Sequence, residues 1–310
     1  MKGIINLNHS VGYLFFALLA LGSFAAEPPA GTRIIHPRDG AVMVYVPSGP
    51  FIMGIDQAEG DRIAHHLGYK DAAAISAQEA YPKRTVDLPG FFVDVHEVTV
   101  ARWKAFVTAT DTHVKSTETS RHFEDPASQL LPAAEIPWAE AKRYAAWAGK
   151  ALPTEAQWEK AARGTDGRLY PWGDEPPTAA HGHFGLDGKR PRLYVPVGGF
   201  PLGASPYGAL DMLGNQYEWT CDYKNLYPGH PLDPDDSKTE TVKTWCDGSN
   251  VTLRGGSWYH GRVSFYAAKR FGLLPDHTYY HVGFRTVWVP PLGYFDSMAF
   301  ANERLKAEVK

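Results

Sequence analysis

Apolar side chains recur with helical spacing in two stretches of this chain. In Trp138 to Ala148 (WAEAKRYAAWA), Ala141, Tyr144, Ala145 and Ala148 fall on one face, and Gly149 follows where such a helix would stop. From Glu97 to Thr108, Val100, Trp103 and Val107 share a face with Phe106 beside them, and Thr99 is placed to cap the first turn. Thr154 to Arg163 predicts another helix, capped by Thr154 and acidic in its first turn, where the helix dipole favours negative charge. Shorter apolar runs predict strands. Val42 to Gly54 holds two, broken at Pro47-Ser48-Gly49-Pro50, and reads as a β-hairpin; Arg84 to Val95 reads as two more around Pro89-Gly90. Residues 55–82 have room for one short helix, 109–136 are polar and irregular, and the chain after Gly164 is mostly turns and short strands. No internal repeat is visible, which predicts a single domain over residues 26–310 with its core between 40 and 288.

The N-terminus carries a different pattern. Lys2 precedes an apolar run, Val11 to Leu21, that is too short to span a bilayer, and Ser23-Phe24-Ala25 supplies small residues at a cleavage site. Residues 1–25 are therefore expected to be a signal peptide, with an uncleaved anchor as the competing reading, and the mature chain is expected in the periplasm or outside the cell. No later stretch reaches transmembrane length. With 44% hydrophobic and 21% charged residues and a formal net charge of -3, the chain has no electrostatic reason to bind nucleic acid. Thirty glycines, 24 prolines and nine tryptophans suggest long loops pinned by large aromatic rings. The two cysteines, Cys221 and Cys246, predict a disulfide in an oxidising compartment, closing a loop of about 25 residues and stabilising the fold by roughly 3 kcal/mol. Metal-binding or redox thiols are the alternative.

Seven segments, in order, resemble the formylglycine-generating-enzyme (sulfatase-modifying-factor) family: residues 43–54 (MVYVPSGPFIMG), 86–100 (VDLPGFFVDVHEVTV), 147–164 (WAGKALPTEAQWEKAARG), 170–175 (YPWGDE), 196–219 (PVGGFPLGASPYGALDMLGNQYEW), 253–258 (LRGGSW) and 282–287 (VGFRTV). The resemblance implies an α+β, C-type-lectin-like fold with little regular structure and long loops. It also implies bound calcium: in Asp211 to Glu218, Asp211 and Glu218 would supply carboxylates, Gly214 and Gln216 backbone carbonyls, a donor set that suits a hard cation. The other reading of these residues is an Asx-turn at Asp211 and a Glu218–Arg ion pair. The family's second calcium ligand would fall at His183, a poor donor for calcium, with Asp187 able to compensate. Arg254 and Arg285 read as buried struts binding loop carbonyls.

The sequence also departs from the family. Active members hold copper between two cysteines shortly after GGSW; here those positions are His260 and Phe265, so copper is not expected and neither is formylglycine formation. The segment before Trp138, which helps shape the peptide cleft in sulfatase-modifying members, is short and rebuilt. His260 is left as the candidate residue, open between a general acid/base and a vestige, with Trp258, Tyr259 and Arg262 as the expected cleft. The pairs His65/His66, His181/His183 and His277/His281 read as ordinary surface or core histidines, because i,i+4 spacing in a loop does not bring His277 and His281 together. Two functions remain. One is a calcium-braced periplasmic binding or regulatory protein acting on a protein or peptide partner, as in the accessory activator of a type VI secretion threonine kinase. The other is a periplasmic tailoring oxidase of altered chemistry, as in pyoverdine chromophore maturation.

Overall fold

The computed structural model describes residues 26–112, 117–184, 193–231 and 246–308; the expected signal peptide lies outside them. The architecture is α+β, as expected. A first sheet has the order β1-β2-β5-β10, formed by Arg33–Ile35, Val42–Val46, Phe91–Asp94 and Val287–Trp288. A second pairs β3 (Gly49–Met53) with β4 (Arg84–Leu88). A third has the order β8-β7-β6-β9, formed by Phe271–Leu273, Asp247–Arg254, Tyr217–Asn225 and Val282–Gly283.

The hairpin expected over Val42 to Gly54 does not form. β2 pairs with β5 from Met43↔Asp94 to Val46↔Phe91, and β3 pairs with β4 from Gly49↔Leu88 to Met53↔Arg84. Both ladders keep one register, so the two segments make a single antiparallel ribbon kinked at Pro47-Ser48 on one strand and Pro89-Gly90 on the other. Proline removes ladder donors, so the breaks lie side by side and bend the ribbon instead of reversing the chain. Lys160 holds the bend: its Nζ donates to the carbonyls of Pro47 and Gly49 at 2.7 Å each.

The three predicted helices are present. In α2 (Val100–Thr110), Thr99 accepts from the Arg102 amide, and Trp103 and Phe106 are buried whereas Val107 is only partly so. α4 (Trp138–Ala148) ends at Gly149 in the left-handed region, and Trp103 stacks on Tyr144 between these two helices at 5.9 Å. α5 (Glu155–Arg163) starts on a reciprocal cap between Thr154 and Gln157. This helix buries eight of its nine residues, charged ones included, and Glu155, Glu159 and Arg163 are ion-paired. Glu159 accepts from Arg163 Nη1 at 2.6 Å and pairs with Arg254, while Glu155 accepts from Arg270 Nε and Nη2 at 2.7 Å each. Buried charges survive only with such partners. The acidic stretch after Gly54 forms α1 (Gln57–His66), and the irregular 109–136 region includes the short α3 (Thr117–Arg121).

A C-terminal helix, α6 (Met298–Glu308), follows the expected core and was not anticipated. It lies against β1, and Phe300 meets Tyr294 and Phe295 at 5.4 Å each. No helix among the described residues is long and apolar enough to cross a membrane.

The expected disulfide is absent: Cys221 and Cys246 are both free thiols. The β6–β7 ladder explains this. Asn225 pairs with Asp247, so Cys246 falls beyond that end while Cys221 sits four residues back along β6, a separation of more than about 10 Å at strand spacing. A disulfide needs Cα atoms within roughly 7 Å.

Candidate active site

After β7 the chain must turn at once, and Gly255 and Gly256 let it, with φ of 91° and 71°. A Cβ on Gly256 would lie 2.8 Å from the Ser264 carbonyl. The loop is then tied to the Asp211–Glu218 turn, because the Trp258 amide donates to the Asn215 carbonyl at 3.1 Å and the Tyr217 hydroxyl to Ser264 Oγ at 2.9 Å. These anchors carry Trp258, Tyr259 and His260 into one cluster.

His260 is enclosed by rings: Tyr217 at 5.1 Å, Phe271 and Tyr259 at 5.3 Å, and His281 at 5.0 Å. Its Nδ1 lies 3.2 Å from Ser257 Oγ. His281 is the residue that sequence reasoning missed. It immediately precedes β9, and its carbonyl accepts from the Tyr217 amide at 3.0 Å, which delivers its ring beside His260. The imidazole is sandwiched between Tyr259 (4.9 Å, planes 6° apart) and Tyr279 (5.4 Å, 4°). His281 is only 5% exposed, and its Nδ1 is buried without a hydrogen-bond partner among the described residues. Burial, with His260 close by, pushes its pKa down to about 3, so the ring is neutral at physiological pH. Trp258 is equally buried, with an unpartnered Nε1–H, and packs on Tyr259 and Tyr280 at 5.7 Å. Tyr279 and Tyr280 form a half-open rim. The cluster thus offers flat aromatic faces, one unsatisfied donor and one neutral imidazole, which suits stacking on and hydrogen-bonding a planar substrate.

One expected member, Arg262, lies elsewhere, and so does Phe265. Arg262 turns to the C-terminal end of α1, where Nη1 donates to the Leu67 carbonyl at 3.3 Å. Phe265 is fully buried against Phe184 and Trp172, where it takes the space that Gly214 leaves. His277 is exposed.

The implied calcium residues are rearranged in role. Glu218 is an ion-pair partner: Oε1 accepts from Arg285 Nη2, and Oε2 from Arg285 Nε and Trp158 Nε1, all at 2.7 Å. Arg285 and Arg254 are buried struts, Arg285 also donating to the carbonyls of Asp94, Val95, Leu210 and Asp211. Asp211 keeps one oxygen on the Gly198 amide at 2.5 Å. Gln216 is fully buried with both amide atoms unpartnered, and so is the carboxylate of Glu97, which the sequence reading did not single out. Burial, then Asp211 and Glu218, holds Glu97 well above the usual carboxylate range. Glu218 is matched by Arg285, whereas burial disfavours the charged forms of Glu97 and Asp211. A divalent cation would favour those charged forms, and Asp211 and Glu97 with neighbouring carbonyl oxygens are the groups that would hold it. Among the described residues no group of three or more His, Cys, Asp or Glu is placed to hold a metal by side chains alone. At the second implied site, His183 Nε2 is 2.6 Å from the Leu193 carbonyl and Asp187 lies outside the described residues.

Comparison with known proteins adds to this geometry. The profile of the sulfatase-modifying factor enzyme 1-like domain matches residues 34–290. The chain is 32% identical over 262 residues to hercynine oxygenase of Mycolicibacterium smegmatis, an alignment spanning 74% of this chain and 56% of that protein. It is 28% identical to the formylglycine-generating enzyme of Mus musculus, spanning 84% and 78%. The chain spans about half the length of the hercynine oxygenases it matches. Among solved structures, PvdO from Pseudomonas aeruginosa superposes with a TM-score of 0.64 at 24% identity, covering 85% of this chain and all of that one, which is a likeness of fold.

Proposed function

The chain belongs to the sulfatase-modifying factor enzyme 1-like domain family, and from that membership we propose that it is an oxidative tailoring enzyme whose substrate meets the Trp258–Tyr259–His260–His281 cluster. The observation carrying this reading is the His260–His281 pair, with ring centroids 5.0 Å apart. A neutral imidazole whose buried Nδ1 has no partner, clamped between two phenol rings, is ill suited to a purely structural role, because a buried polar group left unpaired is costly. It suits a residue that hydrogen-bonds a bound substrate. The relatives named hercynine oxygenase support oxidative chemistry over partner binding. The exposed rings of Tyr279 and Tyr280 favour an aromatic or heteroaromatic substrate, free or carried on a peptide. The regulatory reading, in which the same cleft holds a partner protein, has less support because it leaves His281 unused.

The test is dioxygen uptake by the purified protein with peptides and small molecules bearing phenol, imidazole or indole groups, in separate arms supplied with ferrous and cuprous ions. The expected result is uptake with a matching mass change for one substrate class, reduced at least tenfold by His260→Ala in a protein that keeps its near-UV circular dichroism. Absence of uptake and of any mass change in every arm would overturn the reading in favour of the regulator.

A further inference from the structure

A separate pocket of about 440 Å³ opens where the ends of β3 and β4 meet β6 and the start of α5; its walls include Met53, Arg84, Ala156, Leu226, Tyr227 and Pro228. We propose that it is a binding site for a small amphipathic carboxylate, held by Arg84. The case rests on which charges in the pocket are already matched. Arg270 is committed: Nε and Nη2 pair with Glu155, Nη1 donates to the Glu79 carbonyl at 2.9 Å, and Nη2 also reaches the Asn225 carbonyl at 2.8 Å. Glu155 is therefore neutralised. Asp222 accepts from the Glu155 amide at 2.6 Å, so it serves the helix end. The Cys221 thiol stays protonated, since burial and Asp222 push it up to about 12.

Arg84 is different. Its guanidinium lies over the Tyr227 ring at 4.6 Å, and among the described residues its only hydrogen bond is from Nη2 to Met53 Sδ at 3.5 Å, a weak acceptor. Its Nε–H is buried without a partner, and no carboxylate lies within ion-pair distance among the described residues. A guanidinium fork stacked on an aromatic ring is preorganised for a planar carboxylate. Met53, Ala156, Leu226 and Pro228 would cover a short apolar body attached to it. The volume lies in the range of small-ligand sites.

The test is isothermal titration of the full chain with hexanoate, with hexanol and inorganic phosphate as comparison probes. Hexanoate is expected to saturate one site per chain and to bind at least tenfold more tightly than either. Arg84→Met, which keeps the apolar stem over Tyr227, is expected to weaken hexanoate at least tenfold without moving the melting temperature, and Arg84→Lys to retain part of the affinity. Absence of saturable hexanoate binding, or equal binding by Arg84→Met, would overturn the proposal; tighter phosphate binding would overturn the carboxylate class. His260→Ala should bind hexanoate normally, so this result and that of the oxygen-uptake assay stand apart.

Discussion

Arg285 and Glu218 meet in a two-pronged, fully buried pair, with Nε on Oε2 and Nη2 on Oε1, both at 2.7 Å. The pair joins the start of β6 to the segment between β9 and β10, and Trp158 of α5 donates to the same carboxylate. Three parts of the fold therefore depend on one anion.

Removing that anion alone should be severe. Glu218→Ala would leave Arg285 without its two-pronged partner and Trp158 Nε1 without its acceptor, at an expected cost of about 3–5 kcal/mol in urea unfolding. The double variant Glu218→Leu/Arg285→Met should cost clearly less than the sum of its single changes, because the two groups share one interaction. Additive costs would show that the pair is not coupled.

Calcium should raise the melting temperature, and chelation should lower it. Glu97→Gln should remove most of that response and make the chelated protein more stable, since the change removes a buried ionisable carboxyl without deleting volume. The pH dependence has a defined sign. Glu97 has a raised folded pKa, so between that value and its ordinary 4.5 the folded state holds the extra proton, and metal-free stability should rise as pH falls through this window. Saturating calcium should flatten that rise. Identical melts with and without chelator, on protein shown to be metal-free at the start, would remove calcium from the account.

His281 works in the opposite direction. Its pKa falls from 6.5 to about 3 on folding, so in that interval the unfolded chain binds more protons and stability should drop on acidification. The slope from one such group is at most about 1.4 kcal/mol per pH unit. His281→Phe keeps a ring between Tyr259 and Tyr279 and should abolish this component. An unchanged slope between pH 6.5 and 4 would mean that the ring is not held neutral.

The protein should not convert a cysteine-containing sulfatase peptide to formylglycine, with or without copper. Phe265 has no donor atom and is packed away from His260 against Phe184 and Trp172, so the two positions do not converge on one ion. Mass spectrometry of the peptide after incubation reads the result directly; a formylglycine product would refute it.

Helices were legible from sequence because their signals are local: Thr99, Thr154 and Gly149 each act within one turn of their own position. The strands were legible as strands but not as partners. Pro47-Ser48 looks like a reversal, and only the matching break at Pro89-Gly90, across about 40 residues, shows it to be a bend. The site was half legible. Trp258, Tyr259 and His260 follow one another in sequence, whereas His281 was weighed against His277, its i,i+4 neighbour, when its actual companion lies 21 positions earlier. Glu97 gave no signal at all, since an isolated acid before a helix reads as a surface residue until its burial is known. The cysteine pair misled for the same reason as the strands: an even count says nothing about how far apart two positions fall along a ladder.

The pairing of β5 with β10 has a consequence for how the molecule comes to be folded. Val93 lies opposite Val287, and Ala151 bridges to the same residue, so the first sheet cannot close until almost the whole chain has been made. Such distant pairing pays its loop-closure entropy before any contact rewards it, which places this fold among slow folders. Until Val287 and Trp288 arrive, the edge of β5 stands open, and a chain stalled or cut before that point would present an unpaired apolar strand to its neighbours. Quality control during synthesis, more than the stability of the finished fold, is then where truncated copies would be lost.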